Sequence, residues 1–141
     1  RLGGASQKFG CYSRIKVKRM KLRCVTNSIR IRVRKSDLAI LKSKGEVVDS
    51  VHFGGSQLLV FGLRMTEEIS EVQAIFTEGK IEVLLPKEVG QRWITSHQVG
   101  IHHHIPLENN QQLEVLIEKD FPCAHRPTED KSDTFTELAP S

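Results

Sequence analysis

Three consecutive histidines, His102, His103 and His104, lie in a segment whose alternating pattern predicts a β-strand. Because successive strand side chains point to opposite faces, His102 and His104 share one face and His103 points to the other. Two imidazoles on one face are suitable ligands for divalent Zn, Cu or Ni. A complete site needs a third ligand from another strand, which His52 or a carboxylate could supply. The alternative is an exposed strand whose histidines bind metal only adventitiously.

A second group of candidate residues follows the last predicted strand. Cys123 and His125 form a Cys-x-His pair, which is typical of half of a soft-metal site or of an activated thiolate. The alternative is structural, with Phe121 as the final core residue and Pro122 turning the chain outward. Acidic tails with one aromatic residue can bind a protein partner, and the candidate residues for this are Asp120, Glu129, Asp130, Asp133 and Phe135.

A third group is a set of arginines on two neighbouring predicted strands: Arg23, Arg30, Arg32 and Arg34. Closely spaced guanidinium groups bind phosphate and other small anions through paired N–H donors. A cavity lined by Arg30, Arg32 and Glu82 would suit a phosphorylated small molecule. The alternative is a solvated face on which Glu82, Glu114 and Glu118 balance the arginines in cross-strand ion pairs. No Gly-rich phosphate-binding loop accompanies the arginines, which disfavours a nucleotide site.

None of these groups forms a complete catalytic constellation, and two function classes remain open. The first is a small non-enzymatic binding or accessory protein that binds a partner or a divalent metal through its C-terminal tail and strand ends. The second is an enzyme or sensor that binds a phosphorylated small molecule through the arginine-rich sheet face. We favour the first.

The net charge of +4 comes entirely from the first nineteen residues, which contain six Lys or Arg and no acid. From Met20 onward there are fifteen basic and seventeen acidic residues. Residues 1–19 are therefore either a disordered basic arm able to contact nucleic acid or a segment upstream of the true start at Met20. We favour the second interpretation because an alternating strand begins directly after Met20. Nucleic acid is then not an expected partner.

The remaining composition predicts one soluble domain over residues 20–121, followed by a flexible acidic tail over residues 122–141. The cysteines are odd in number and far apart, which favours a reducing cytoplasm over a disulfide framework: Cys11, Cys24 and Cys123. No segment approaches the length of a membrane span, and a membrane partner is not expected.

These candidates lie on a chain that repeats one pattern. Residues 29–47 and 81–99 both contain an alternating apolar strand, a short helix and a β-branched run. Counting turn signals gives eight strands and two short helices, the first helix capped by Ser36. The expected fold is α+β, a mainly antiparallel curled sheet or flattened barrel with two pseudo-equivalent halves.

The alternation also predicts which residues form the core. One face of the strands is entirely apolar and should be the inner face: Ile29, Ile31, Val33, Ile81, Val83, Leu85, Val115 and Ile117. Leu41 and Trp93 occupy matching positions on the two helices and should be core anchors.

From Met20 to about Phe135 the chain resembles a family of small bacterial proteins of unknown function. The residues that carry the resemblance are Met20-Lys21-Leu22-Arg23, Asn27-Ser28-Ile29-Arg30, Gln98-Val99-Gly100-Ile101 and Leu116-Ile117-Glu118-Lys119-Asp120-Phe121 with Cys123. The acidic stretch from Glu129 to Phe135 is also similar. Family members close on an aromatic-Pro-Asn-Pro motif, from which Phe135-Thr136-Glu137 departs. The resemblance implies a start at Met20 and a bacterial source, and it implies no activity.

Overall fold

The computed structural model describes residues 20–120. The predicted segment 1–19 and the predicted tail 122–141 lie outside the described residues. Eight strands and two helices follow one another along the chain: β1 Lys21–Val25, β2 Ser28–Val33, α1 Lys35–Lys44, β3 Glu46–His52, β4 Leu58–Thr66, β5 Gln73–Thr77, β6 Lys80–Pro86, α2 Lys87–Thr95, β7 Gly100–Pro106 and β8 Gln112–Lys119. The predicted number, type and order of the elements are confirmed.

The strands form two four-stranded sheets. The first sheet has the order β1-β2-β8-β7 and the second has the order β3-β4-β6-β5. Each of the four hairpins is antiparallel, and the two central pairs, β2 with β8 and β4 with β6, are parallel. The predicted α+β class with curled, mainly antiparallel sheets is confirmed. Within residues 20–120 the strands form two separate sheets, and the flattened-barrel alternative is not formed.

The two sheets have the same pairing pattern, and each takes one hairpin from either half of the chain. Glu114 of β8 lies opposite Ser28 of β2, just as Val60 of β4 lies opposite Lys80 of β6. Both helices therefore connect a strand of one sheet to a strand of the other. These equivalent positions allow each side chain of one sheet to be compared with its counterpart in the second.

Turn residues close the hairpins. Asn27, before β2, has a φ of 51°, and Glu78 and Gly79, between β5 and β6, have φ values of 49° and 75°. In the β5–β6 turn both central residues, Glu78 and Gly79, have positive φ. This is typical of the two-residue hairpin turn whose twist matches that of the strands it joins. The loop between β7 and β8 contains Asn109 and Asn110, both also at positive φ. These turns set the strand registers that position the side chains described below.

The first helix begins two residues earlier than the sequence suggests. Arg34 rather than Ser36 is the N-cap residue, and its backbone N–H donates to the Asp37 carboxylate at 2.8 Å. A carboxylate in the first turn satisfies a free helix N–H and complements the helix dipole, so a capping serine is not needed. At the other end Gly45 has a φ of 81° and donates its N–H to Leu41 O at 2.8 Å, as predicted for a C-terminal glycine.

The inner faces of both sheets and one side of each helix share one core. Of the eight residues predicted for the inner face, Ile29 and Ile81 are partly buried against the core and the other six are buried. Leu41 and Trp93 are fully buried, as predicted. The Trp93 indole N–H donates to Val99 O at 3.1 Å, which satisfies its one polar atom inside the core.

An ion pair occupies equivalent positions on the outer faces of the two sheets, but the strand that carries the arginine in one sheet carries the glutamate in the other. On the first sheet Arg30 Nε lies 3.7 Å from Glu118 Oε1. On the second sheet Glu82 takes the place of Arg30 and Arg64 takes the place of Glu118, with Nε donating to Oε2 at 3.0 Å. The hydrogen bond from Arg64 is the main reason that the pKa of Glu82 lies below its ordinary value.

Replacing Glu82 with glutamine should lower the free energy of unfolding by about 0.5–1 kcal/mol at pH 7, because Arg64 is partly exposed to solvent. A carboxylate whose pKa is lowered by folding stabilises the protein above its unfolded pKa of about 4.3 and loses that contribution as pH falls through the folded value. The unfolding free energies of wild type and Glu82→Gln, measured by urea denaturation, should therefore differ at pH 7 and approach each other towards pH 3.

The matched control for this prediction is Glu71→Gln. Glu71 is exposed and forms no ion pair within residues 20–120. Its replacement should leave the unfolding free energy unchanged at both pH values. A Glu82→Gln difference that stays constant from pH 7 to pH 3 would contradict the ion-pair explanation.

Candidate metal centre

The β7–β8 hairpin places His102 and His104 side by side on the outer face of the first sheet. Their imidazole rings are 4.7 Å apart between centroids and about half exposed, at 49% and 50%. His103 points to the inner face, opposite the buried Val115. The prediction that His102 and His104 share a face is confirmed, and alternation along the strand is the reason.

Glu114 of β8 supplies a carboxylate at the same place. It lies directly opposite His104 in the antiparallel register, and its Oε2 is 2.6 Å from His102 Nε2 and 3.8 Å from His104 Nε2. One ligand atom from each of the three residues lies within 4.8 Å of the others. Of the two kinds of third ligand that the sequence allows, a carboxylate is the one that lies beside the two histidines. The other candidate, His52, lies on β3 of the second sheet and does not belong to this group.

A second hydrogen bond orients the Glu114 carboxylate. Ser28, at the start of β2, lies opposite Glu114 on its other side, and its hydroxyl donates to Oε1 at 3.0 Å. The hydrogen bond from His102, followed by that from Ser28, holds the pKa of Glu114 below its ordinary value. Glu114 therefore stays a carboxylate through mildly acidic pH. A carboxylate held by an outer hydrogen bond is better prepared to bind a cation.

The arrangement fits a transition metal with nitrogen and oxygen ligands. Zn²⁺ binds imidazole nitrogen and carboxylate oxygen at about 2.0–2.2 Å, so neighbouring ligand atoms lie about 3.3 Å apart. The 2.6 Å contact between His102 and Glu114 has to open slightly, and the 3.8 Å contact between His104 and Glu114 has to close slightly. Both changes are small rotations of half-exposed side chains. A bound metal would replace the hydrogen bond between His102 and Glu114.

The second sheet lacks these ligands at the equivalent positions. Val48 corresponds to His102, Ser50 to His104 and Val60 to Glu114. Since the backbone pairing is the same in both sheets, the ligand set is a property of these side chains and not of the fold. The second sheet therefore offers natural control positions for any test of the site.

The four predicted anion-binding arginines are divided between three settings. Arg32 donates to Glu118 at 3.2 Å, and Arg30 shares the same carboxylate at 3.7 Å. Arg34 lies 3.6 Å from Asp37 at the start of α1. Arg23 is exposed on β1 directly opposite Arg30, and no carboxylate within residues 20–120 pairs with it.

Glu82 does not join these arginines. It lies on the outer face of the second sheet with Arg64, whereas Arg30 and Arg32 are on the outer face of the first. The three residues therefore do not line one cavity. Arg23 and Arg30 remain together on the sheet face that also carries the histidines.

Most of the predicted tail residues lie outside the described part of the chain. These are Cys123, His125, Glu129, Asp130, Asp133 and Phe135. Asp120 is described, and its backbone N–H donates to Val33 O at 2.7 Å. Its carboxylate lies 3.5 Å from Lys21 Nζ, so Asp120 connects the end of β8 to β1 and β2.

Sequence reasoning left the third ligand open and missed Ser28. A hairpin centred on Asn109 places Glu114 opposite His104, so the turn signal at Asn109 and Asn110 could have singled out Glu114. No local signal points to Ser28, because β2 and β8 are far apart in sequence and pair in parallel.

The model of a family of unknown function, DUF7009, matches residues 20–139. The chain belongs to this family. The match covers the body and most of the tail, and it confirms the resemblance seen from Met20 onward. No protein of curated function and no solved structure shows a significant match to the chain. Within residues 20–120, neither helix is long and apolar enough to cross a membrane.

Proposed function

We propose that this protein is a small non-enzymatic binding protein for a divalent transition metal, with His102, His104 and Glu114 as its ligands. The observation that carries the proposal is the convergence of one ligand atom from each residue within 4.8 Å. Two imidazoles and one carboxylate suit Zn²⁺, Co²⁺, Ni²⁺ or Cu²⁺ far better than Mg²⁺ or Ca²⁺, which prefer oxygen ligands alone.

The exposure of the ligands favours binding over catalysis. All three side chains are 40–50% exposed on an open sheet face. Catalysis depends on fixed dipoles in a site from which water is excluded, and an open sheet face does not exclude water. The role proposed here is metal-dependent recognition or metal storage.

The C-terminal tail belongs to the same proposal. Cys123 and His125 are candidates for additional soft-metal ligands, and the acidic residues from Asp120 to Asp133 with Phe135 are candidates for contact with a protein partner. We place the protein in the bacterial cytoplasm, which is supported by its three widely separated cysteines and by the resemblance seen in the sequence.

We further infer that the two halves are copies of one strand–strand–helix–strand–strand unit. Identical pairing in both sheets supports this, as does the exchanged ion pair of Arg30–Glu118 and Glu82–Arg64. On this view one half acquired histidines on its final hairpin while the other kept Val48 and Ser50. The metal centre then belongs to one copy only.

Isothermal titration calorimetry with Zn²⁺ tests the proposed site when the affinity of the full chain is compared with that of the Glu114→Gln variant. The full chain should bind one Zn²⁺ per molecule, and Glu114→Gln should weaken that binding by more than about tenfold, because a neutral amide is a poor ligand and outer hydrogen bonds alone contribute that much. Circular dichroism should be unchanged, since Glu114 is on the outer face.

The matched control is His52→Gln, which removes an exposed histidine from the second sheet. It should leave the Zn²⁺ affinity unchanged. A second control, Cys123→Ser combined with His125→Gln, separates a contribution of the tail from that of the sheet. Unchanged affinity in Glu114→Gln, or loss of all binding in the Cys123/His125 variant alone, would contradict the assignment of the site to the sheet.

A further inference from the structure

Resting on the proposed metal site, we propose that the bound metal and Arg30 together bind the phosphate group of a small organic phosphate, with Arg23 as a second cation. One phosphate oxygen would bind the metal and another would accept from the Arg30 guanidinium. The non-phosphate part would lie over Leu116. The ligand class is therefore a phosphate monoester with an apolar group.

The strand registers place one metal ligand, a leucine and both arginines in one row across the first sheet. The other two ligands, His104 and Glu114, lie opposite each other two residues farther along. His102 lies opposite Leu116, Leu116 lies opposite Arg30, and Arg30 lies opposite Arg23. Neighbouring strands are about 4.8 Å apart, so the Cα atoms of His102 and Arg30 are separated by about 10 Å. An extended arginine covers more than half of that distance. In the structure Arg30 Nε lies 3.7 Å from Glu118 Oε1, so its guanidinium has to turn away from that carboxylate to reach a phosphate bound to the metal.

The metal would have a position free for an anion. The sheet supplies three ligands, and four-coordinate sites with three protein ligands bind water or substrate in the fourth position. Because Glu114 is the single anionic ligand, a bound divalent ion retains one positive charge. That charge favours an anionic fourth ligand over water.

Carboxylates hold the two arginines in the row less tightly than they hold Arg32, and only Arg30 of the two is paired with Glu118. Glu118 accepts a hydrogen bond from Arg32 at 3.2 Å and lies farther, at 3.7 Å, from Arg30. Arg23 pairs with no carboxylate within residues 20–120. Like charges placed directly opposite each other on a sheet repel, and an anion bound to Arg30 on its Leu116 side would weaken the repulsion between Arg30 and Arg23.

Between the metal and the arginines lies a half-buried leucine. Leu116 is on the outer face, and its neighbours in the row are His102 and Arg30. A phosphate ester that binds both charged partners has to pass over this side chain. Its apolar surface favours an ester with a hydrocarbon or aromatic group over free phosphate.

Phenyl phosphate binding to the full chain loaded with Co²⁺ tests the proposal. The visible absorption of Co²⁺ reports changes in its coordination, so addition of phenyl phosphate should shift the spectrum. Calorimetry should show that phenyl phosphate binds at least about tenfold more weakly without Co²⁺. Arg30→Gln should weaken phenyl phosphate binding by about tenfold and leave the Co²⁺ affinity unchanged.

The control variant is Arg92→Gln, which removes an exposed arginine from α2 and should change neither affinity. Absence of Co²⁺ binding to wild type would overturn the metal site itself. Co²⁺ binding without a spectral shift on addition of phenyl phosphate would overturn only the composite site. Equal phenyl phosphate affinity in wild type and Arg30→Gln would also overturn only the composite site.

Discussion

Replacing both His102 and His104 with alanine is expected to lower the affinity for Zn²⁺ by more than about a hundredfold. The change removes two of the three ligands and leaves Glu114 as an ordinary surface carboxylate. Changes in outer hydrogen bonds already cost about 10–100-fold in metal affinity, and loss of the ligands themselves should exceed that range. Competition with a fluorescent Zn²⁺ chelator measures affinities over the required range.

The double variant should fold normally, because both imidazoles are half exposed and neither contributes to the core. Its thermal midpoint without metal should match that of wild type. The control is a second double variant, His52→Ala with His97→Ala, which removes the same number of exposed histidines from other places. Similar Zn²⁺ affinity in the two double variants would show that the protein binds metal through scattered histidines.

Replacing Trp93 with alanine is expected to lower the free energy of unfolding by about 3–5 kcal/mol. The indole is fully buried in the core that joins both sheets, and its N–H donates to Val99 O at 3.1 Å. Lys119 Nζ lies 5.9 Å from the ring centroid, which adds an attraction between the cation and the ring. Chemical denaturation followed by far-UV circular dichroism measures the loss, since the variant lacks the only tryptophan.

Trp93→Phe separates packing from hydrogen bonding at this position. Phenylalanine keeps much of the buried ring and removes one of the two hydrogen bonds to Val99 O, which still accepts from the Lys119 N–H at 2.9 Å. A loss of about 0.5–1.5 kcal/mol is therefore expected. Metal affinity of the phenylalanine variant should equal that of wild type, because the histidines are on the outer face. A loss below about 1 kcal/mol for Trp93→Ala would contradict the placement of the indole at the centre of the core.

The strands and helices could be predicted from the sequence because their signals are local. Alternation of Ile29, Ile31 and Val33 with arginines identifies a half-buried strand, and Glu78-Gly79 identifies a tight hairpin. The parallel pairs of β2 with β8 and of β4 with β6 depend on contacts between distant segments. No local pattern encodes those contacts, so the sequence alone predicts a curled sheet or a flattened barrel and does not specify the division into two sheets.

Half of the candidate metal centre could be predicted from the sequence for the same reason. The common face of His102 and His104 follows from strand geometry alone, whereas the orienting hydroxyl of Ser28 depends on the parallel pairing of β2 and β8. The sequence could not show that Arg30, Arg32 and Glu82 lie on different sheets, because that depends on which strands pair. Arg32 is paired with Glu118, while Arg34 pairs with Asp37 at the start of a helix.

Anomalous X-ray diffraction from crystals of the full chain grown with Zn²⁺ tests the central claim most directly. Data collected above the Zn absorption edge should show a strong peak within about 2.2 Å of Nε2 of His102, Nε2 of His104 and a carboxylate oxygen of Glu114. That peak should be absent from data collected below the edge. A Zn²⁺ peak at other histidines with none beside Glu114 would contradict the account.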